Sequence, residues 1–276
     1  MERGFLSHIF CNGNLRSVKA FSSDIPALFY PELVSPGEKL YLEGDESRHI
    51  RALRLHSGDS VQLLSGTGWR SFGVLEEGDR GRFHVRVENC LFEGEDSGTY
   101  IGLAIGLLSD KNRMEWLVEK AVELGVRSIQ PFRSERAEGF FRGDRLHRVA
   151  VAALKQSQRV WLPEIGEPVD WSGLANVVSS YNVVLICHEQ ESADEDLLTA
   201  LHNVGNQQRM LILVGPEGGF SEEEVERGRE EFNARIVSLG QTRLRSETAA
   251  IVALAAAELR NSIVKVQNSK EEERSV

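Results

Sequence analysis

The hydrophobic rhythm of the chain changes once, near residue 97. From Leu28 to about Phe92 apolar residues come in short runs, "KLYL", "SVQLLS", "RSFGVLEE" and "RFHVRVENCLF", separated by Pro-Gly, Ser-Gly-Asp, Gly-Thr-Gly and Gly-Asp-Arg-Gly. Short strands between frequent turns predict a small β-barrel or sandwich. "EGEDSG", residues 93 to 98, is a polar linker. Beyond it "YIGLAIGLL" is a buried strand, and "NRMEWLVEKAVELG" sets Met114, Leu117, Val118, Ala121 and Val122 on one helical face with Gly125 as its stop. "SIQPF", "NVVLIC", "MLILV" and "RIVSLG" continue as strands, with helices expected around 143 to 158, 171 to 179 and 194 to 203, and after the last two strands. Strands alternating with helices specify a parallel α/β sheet. The expected division is 1 to 26 as an extension, 27 to 96 as the barrel, 97 to 262 as the α/β domain and 263 to 276 as a polar tail.

Two of the strand-to-helix loops carry candidate chemistry. In "ILVGPEGGFSEEE" an apolar strand stops at Gly-Pro-Glu-Gly-Gly and a helix begins at once. Ser221 and Glu224 have capping-box spacing, and Phe220 with Val225 forms a hydrophobic staple. A phosphate-binding loop would need G-x-x-x-x-G-K-[ST], and no lysine is near; the dinucleotide fingerprint G-x-G-x-x-G is broken by Pro216. Three carboxylates in the first turn would also repel a pyrophosphate. An uncharged or cationic cofactor moiety is accommodated more easily, while an ordinary βα turn explains the glycines equally well. The second loop, "SLGQTRLRSETAAIVALAAAEL", repeats strand, loop and helix, with Ser246 placed to cap and Glu247 in the first turn. Its helix, 249 to 259, is apolar nearly all round and must be covered by its own sheet or a second subunit.

Charge then qualifies this picture. The net charge of −10 over 276 residues argues against a polyanion partner, yet residues 111 to 160 hold eleven Lys/Arg against six Asp/Glu, and "RHIRALRLH" forms a second basic knot. Two basic clusters in an acidic chain point to RNA or another polyanion. Cys11, Cys90 and Cys187 are too few and scattered for a disulfide frame or a metal site, which favours a reducing compartment and no metal. Apolar runs fall far short of the ~20 residues that cross a bilayer, so no membrane is expected. Residues 1 to 26 read as a misassigned start rather than an organellar presequence, because their arginine pattern is poor; the expected location is cytoplasmic.

Taken together, "NRMEWLVEKAVELGV", "LVGPEGGFSEEEVE", "LGQTRLRSETAAIVAL", "HIRALRLHSGD" and "KQSQRVWLPEI" resemble, in order, the blocks of the ribosomal RNA small subunit methyltransferase E family of the SPOUT superfamily, uridine-N3 methyltransferases of 16S rRNA. The resemblance spans about Leu28 to Leu259 and leaves out the first 26 residues, the segment after Asn261 and Asn112. It implies S-adenosylmethionine as methyl donor, a PUA-like N-terminal barrel, a C-terminal α/β domain with a trefoil knot, and a homodimer acting on 16S rRNA within the small ribosomal subunit. Topology rules alone lead to an unknotted sheet. By carry-over, Val214, Gly215, Glu217, Gly218, Leu239, Gly240, Leu244, Ser246 and Thr248 are expected to line the cofactor pocket. Arg245 is expected to stabilise the uridine anion, and Arg48, Arg51, Arg54, Arg113 and Arg159 to contact RNA. Glu247 is read as a carboxylate favouring the helix dipole rather than as the proton acceptor. A ribose 2'-O-methyltransferase of the same fold, or a non-catalytic RNA-binding protein, are the competing readings.

Overall fold

A computed structural model describes residues 25–78, 82–93, 99–137, 139–188, 193–205 and 208–274, with the backbone alone from 265 onward. The extension to residue 24, most of the linker and the last three residues of the Gly-Asp-Arg-Gly turn lie outside the described residues. The chain divides into two compact units, Met1–Glu93 and Gly94–Val276.

The first unit holds a five-stranded mixed sheet. Its strands are β1 (Ala27–Phe29), β2 (Lys39–Tyr41), β3 (Ser60–Leu64), β4 (Trp69–Glu77) and β5 (Phe83–Phe92), in the spatial order β1-β3-β4-β5-β2. β1 runs parallel to β3 and the other pairs are antiparallel. Inward residues Leu28, Val61, Leu63, Leu75, Val85 and Val87 form its core. The periodicity expected only strands here, but residues 44–52 form helix α1, which seals the sheet with Ile50, fully buried. The basic knot "RHIRALRLH" therefore lies on a helix and the turn that ends it. Its amphipathic stripe is short and mostly charged, which hid it among the turn signals.

The second unit is an α/β layer structure with a seven-stranded parallel sheet. The strands are β6 (Tyr100–Gly106), β7 (Ser128–Phe132), β8 (Glu164–Ile165), β9 (Val183–His188), β10 (Glu195–Asp196), β11 (Arg209–Val214) and β12 (Arg235–Ser238). Their spatial order is β10-β12-β9-β11-β6-β7-β8. β11 lies between β6 and β9, and its residues 210–214 are all buried, as a strand covered on both faces requires. One face carries α4 (Trp171–Val178) and α6 (Glu222–Phe232), joined by the stacked rings of Trp171 and Phe232 at 4.9 Å. α7 (Ser246–Arg274) packs on β6, β11 and α2 (Lys111–Glu123). The remaining helices are α3 (Gly143–Ser157) and α5 (Leu197–His202).

Helix α2 buries Met114, Leu117, Val118, Ala121 and Val122, the five residues its spacing predicts, and Gly125 follows it at φ +81°. Helix α7 is longer than expected. It runs to Arg274, through the segment read as a polar tail, whose glutamates, lysines and arginine are good helix formers. Its residues Ala250, Ala253, Leu254 and Ala257 are buried, while Val252, Leu259 and Ile263 stand exposed. No helix among the described residues is long and apolar enough to cross a membrane, and no group of His, Cys, Asp or Glu among them could hold a metal ion.

Candidate active site

All strands of the second sheet point the same way, so the loops after β6, β7, β11 and β12 emerge at one edge. In open α/β sheets this carboxyl edge is where ligands bind. The loop after β11 is held tightly. A Cβ at Gly106 would lie 2.5 Å from the Pro216 ring, and one at Gly215 would lie 3.0 Å from the Gly219 carbonyl carbon. The glycines thus let the loop fold back on itself and against β6. Gly219 takes φ +68° and donates to the Pro216 carbonyl at 2.9 Å, closing the turn. The helix then starts as its spacing predicts. Ser221 N donates to Glu224 Oε2 at 2.9 Å and Glu224 N to Ser221 Oγ at 3.1 Å. Phe220 and Val225 are both buried in the core beneath.

The loop after β12 carries the other candidates. Val214 ends β11, buried. Leu239, Leu244 and Thr248 are half-buried, and Gly240 is exposed at φ +117° with its amide bonded to Ser238 Oγ. Ser246 is buried and is the first residue of α7. The capping position therefore falls on Arg245, whose carbonyl accepts from Ala249 N at 2.8 Å, one place earlier than expected. The Arg245 guanidinium is exposed and makes no hydrogen bond or ion pair among the described residues.

Arg113 joins the two loops. Its Nε donates to Glu247 Oε1 at 2.8 Å and Nη2 donates to Glu247 Oε2, while Nη1 donates to Glu217 Oε1 at 3.0 Å. Ser109 completes the knot of bonds, its backbone N and its Oγ both donating to Glu217 Oε1. Burial pushes the Glu247 carboxyl up, but the Arg113 hydrogen bonds, its backbone partner and the charges of Arg113 and Arg245 together hold it below the usual carboxylate range. The same bond raises the Arg113 guanidinium. A third segment braces the first loop: Arg136 Nη1 donates to the carbonyls of Gly218 and Phe220 at 3.0 and 3.2 Å.

The structure brings the pocket candidates of both loops to one edge, with Arg113, expected to contact RNA, bonded among them. Arg159 lies elsewhere. Its Nε donates to the Glu123 carbonyl and its Nη2 to Glu258, so it fastens the end of α2 to α7. Arg48, Arg51 and Arg54 belong to the first unit. Arg48 is paired with Asp45, Arg51 is exposed, and Arg54 takes φ +55° in the turn after α1. The bridging parts of Ser109, Arg113 and Arg136 escaped the sequence. Residues 104 and 134 apart meet only through tertiary structure, and in the sequence these arginines read simply as part of a basic segment.

Residues 95–258 match the family model described as RNA methyltransferase domain. The ribosomal RNA small subunit methyltransferase E of Rickettsia conorii is 27% identical over 238 residues, covering 83% of this chain and 93% of that protein. A crystal structure of a ribosomal RNA small subunit methyltransferase E from Neisseria gonorrhoeae bound to S-adenosyl methionine superposes with a TM-score of 0.75 at 27% identity, covering 85% of this chain and 97% of that one. The structure of a probable rRNA-methyltransferase from Porphyromonas gingivalis superposes with a TM-score of 0.76 at 30% identity, covering 87% and 100%. This chain belongs to the RNA methyltransferase domain family and, within it, to the ribosomal RNA small subunit methyltransferase E family.

Proposed function

We propose that the protein uses S-adenosylmethionine to methylate a uridine at N3 in the 16S rRNA of the small ribosomal subunit. The observation that carries this reading is the pair of loops at one sheet edge, tied by Arg113, with the exposed cation Arg245 beside them. The loops fit the cofactor. At Gly219 and Gly240 the space a Cβ would occupy has no atom within 4 Å, so bare backbone faces open room on both loops. Among the loop residues no lysine is set for a phosphate, which suits a ligand that has none. Val214, Gly215, Gly218, Leu239, Gly240, Leu244, Ser246 and Thr248 would hold it, with Glu217 acting through its bonds to Ser109 and Arg113. Bound there, the cofactor would supply an electrophilic methyl group.

The chain's own residues do the rest. Uridine N3 becomes nucleophilic on losing its proton, and the negative charge spreads to O2 and O4. Arg245 stabilises that charge and orients the base; a guanidinium stays protonated and is no general base. Glu247 does not take the proton either, since both its oxygens accept from Arg113 and its carboxyl, held below the usual carboxylate range, is a weakened base.

The wider arrangement follows the family. The first unit acts as a PUA-like barrel that meets RNA through Arg48, Arg51 and Arg54, and the two loops belong to a trefoil knot. The exposed stripe of Val252, Leu259 and Ile263 on α7 is covered by a second copy, because an apolar row at helical spacing is otherwise left in water.

Isothermal titration of the full chain tests the cofactor. S-adenosylmethionine should bind while ATP and NAD do not. Preference for either nucleotide would contradict the reading.

A further inference from the structure

The segment 133–142, between β7 and α3, presents one residue in an unusual way. Phe140 is 79% exposed, more than any other large apolar side chain among the described residues. Its neighbours are pinned. A Cβ at Gly139 would lie 2.2 Å from the Leu108 carbonyl oxygen, so the backbone there is pressed onto the loop that follows β6. Glu135 N donates to Glu224 Oε1 at 3.0 Å, and Arg136 is bonded to the Gly218 loop. The ring is therefore held outward at the carboxyl edge by anchored backbone, beside the first candidate cofactor loop.

Two clefts flank it. One, of about 390 Å³, is lined by Ser109, Asp110, Lys111, Phe140 and Arg142. The other, of about 540 Å³, includes Arg133, Phe141 and Glu167. The side chains of Lys111, Arg133 and Arg142 make no hydrogen bond or ion pair among the described residues, although Lys111 and Arg142 act through space on Glu115, whose carboxylate Arg145 holds. Asp110 is engaged in capping α2 through Asn112 N, which leaves Glu167 as the uncommitted acid in the two linings. An anchored aromatic face between cations that form no ion pair is an arrangement suited to a single strand, the base stacking on the ring and the phosphates meeting the charges. One ring is too little apolar surface for a protein interface.

We propose that Phe140 is the stacking platform for an unpaired base of the RNA strand being methylated, with Lys111 and Arg142 on one side and Arg133 on the other engaging its phosphates. The assignment rests on the RNA methyltransferase reading and adds a substrate-binding site to it.

The test uses the full chain with Phe140→Ala and Phe140→Trp, a short single-stranded oligouridylate, and small ribosomal subunits lacking the modification. Phe140→Ala should weaken oligouridylate binding and raise the subunit concentration for half-maximal methylation by roughly 5- to 150-fold. Cofactor affinity and the maximal single-turnover rate should stay near wild type. Phe140→Trp should restore binding, with its fluorescence quenched by the bound base. Lys111→Ala with Arg142→Ala should flatten the salt dependence by about 0.7 per lost phosphate contact. Unchanged RNA affinity in Phe140→Ala overturns the proposal, as does a loss of mass in solution without loss of RNA affinity. RNA binding that depends on Phe140 in a protein that transfers no methyl group would sustain the platform and overturn the enzymatic reading instead.

Discussion

Arg113 grips Glu247 with two nitrogens of its guanidinium, the Nε bond measuring 2.8 Å, and thereby fixes the start of α7 to the start of α2. Its third nitrogen reaches Glu217 at 3.0 Å, so a single side chain sets the spacing of both candidate cofactor loops. Arg113→Ala should lower stability by about 1–3 kcal/mol, the range for losing hydrogen bonds to a charged group that stays largely buried. It should weaken S-adenosylmethionine binding at the same time. Arg113→Lys should recover little, because an ammonium cannot make the planar two-nitrogen contact. Thermal melts beside titration of the cofactor read both effects, and wild-type affinity in Arg113→Ala would show that the loops hold their spacing without it.

The same pair sets a pH dependence. The Glu247 carboxyl lies below its ordinary value of about 4.5 in the folded protein, so the stability it contributes is present above that value. It is lost as pH falls through the lower folded value, where the unfolded chain already binds the proton. Glu247→Gln should therefore reduce stability at neutral pH and flatten the acid limb of the stability curve. Parallel melting curves for both proteins from neutral to acid pH, showing a constant difference throughout, would contradict the assignment.

Arg245 should matter for turnover and hardly at all for cofactor affinity. Its guanidinium has no hydrogen bond or ion pair among the described residues to lose, acting on Glu247 only through space, and the Glu217 carboxylate is held by Arg113 and Ser109. Arg245→Ala should slow single-turnover methyl transfer by roughly 10²- to 10³-fold, the loss typical of one preorganised charge-stabilising donor. Partial recovery in Arg245→Lys would indicate charge alone, and no recovery would indicate orientation by the planar fork. Joint loss of folding and cofactor binding would instead make Arg245 a structural residue.

Helix α7 leaves Leu259 66% and Ile263 59% exposed. Leu259→Asp should convert a dimer of this chain to a monomer, measured by light scattering at micromolar concentration, because a carboxylate in a covered apolar stripe lacks a partner. A wild-type monomer under the same conditions would remove the second copy from the account.

The parts of this molecule legible in the sequence are those that local spacing determines. The apolar face of α2, the capping box at Ser221 and the βα rhythm after residue 97 depend on residues within a few positions of one another. The order of strands in the sheet does not, since β11 reaches its place between β6 and β9 only through tertiary packing. The two-residue strands β8 and β10 carry too little pattern to be seen. At the site, the glycine loops stand out in the sequence. The side chains that tie them do not, because Arg113 reaches across more than a hundred residues to Glu217 and Glu247. Phe140 is likewise unremarkable in "GFFRGD" until Gly139 is seen pressed against Leu108.

The most direct measurement is the nucleoside composition of 16S rRNA from cells with and without this gene, resolved by mass and chromatographic retention. Methylation at uridine N3 predicts a 3-methyluridine that is present with the gene, absent without it, and restored by the wild-type chain but not by Arg245→Ala. An unchanged nucleoside profile, or loss of a 2'-O-methylated nucleoside in its place, would contradict the account.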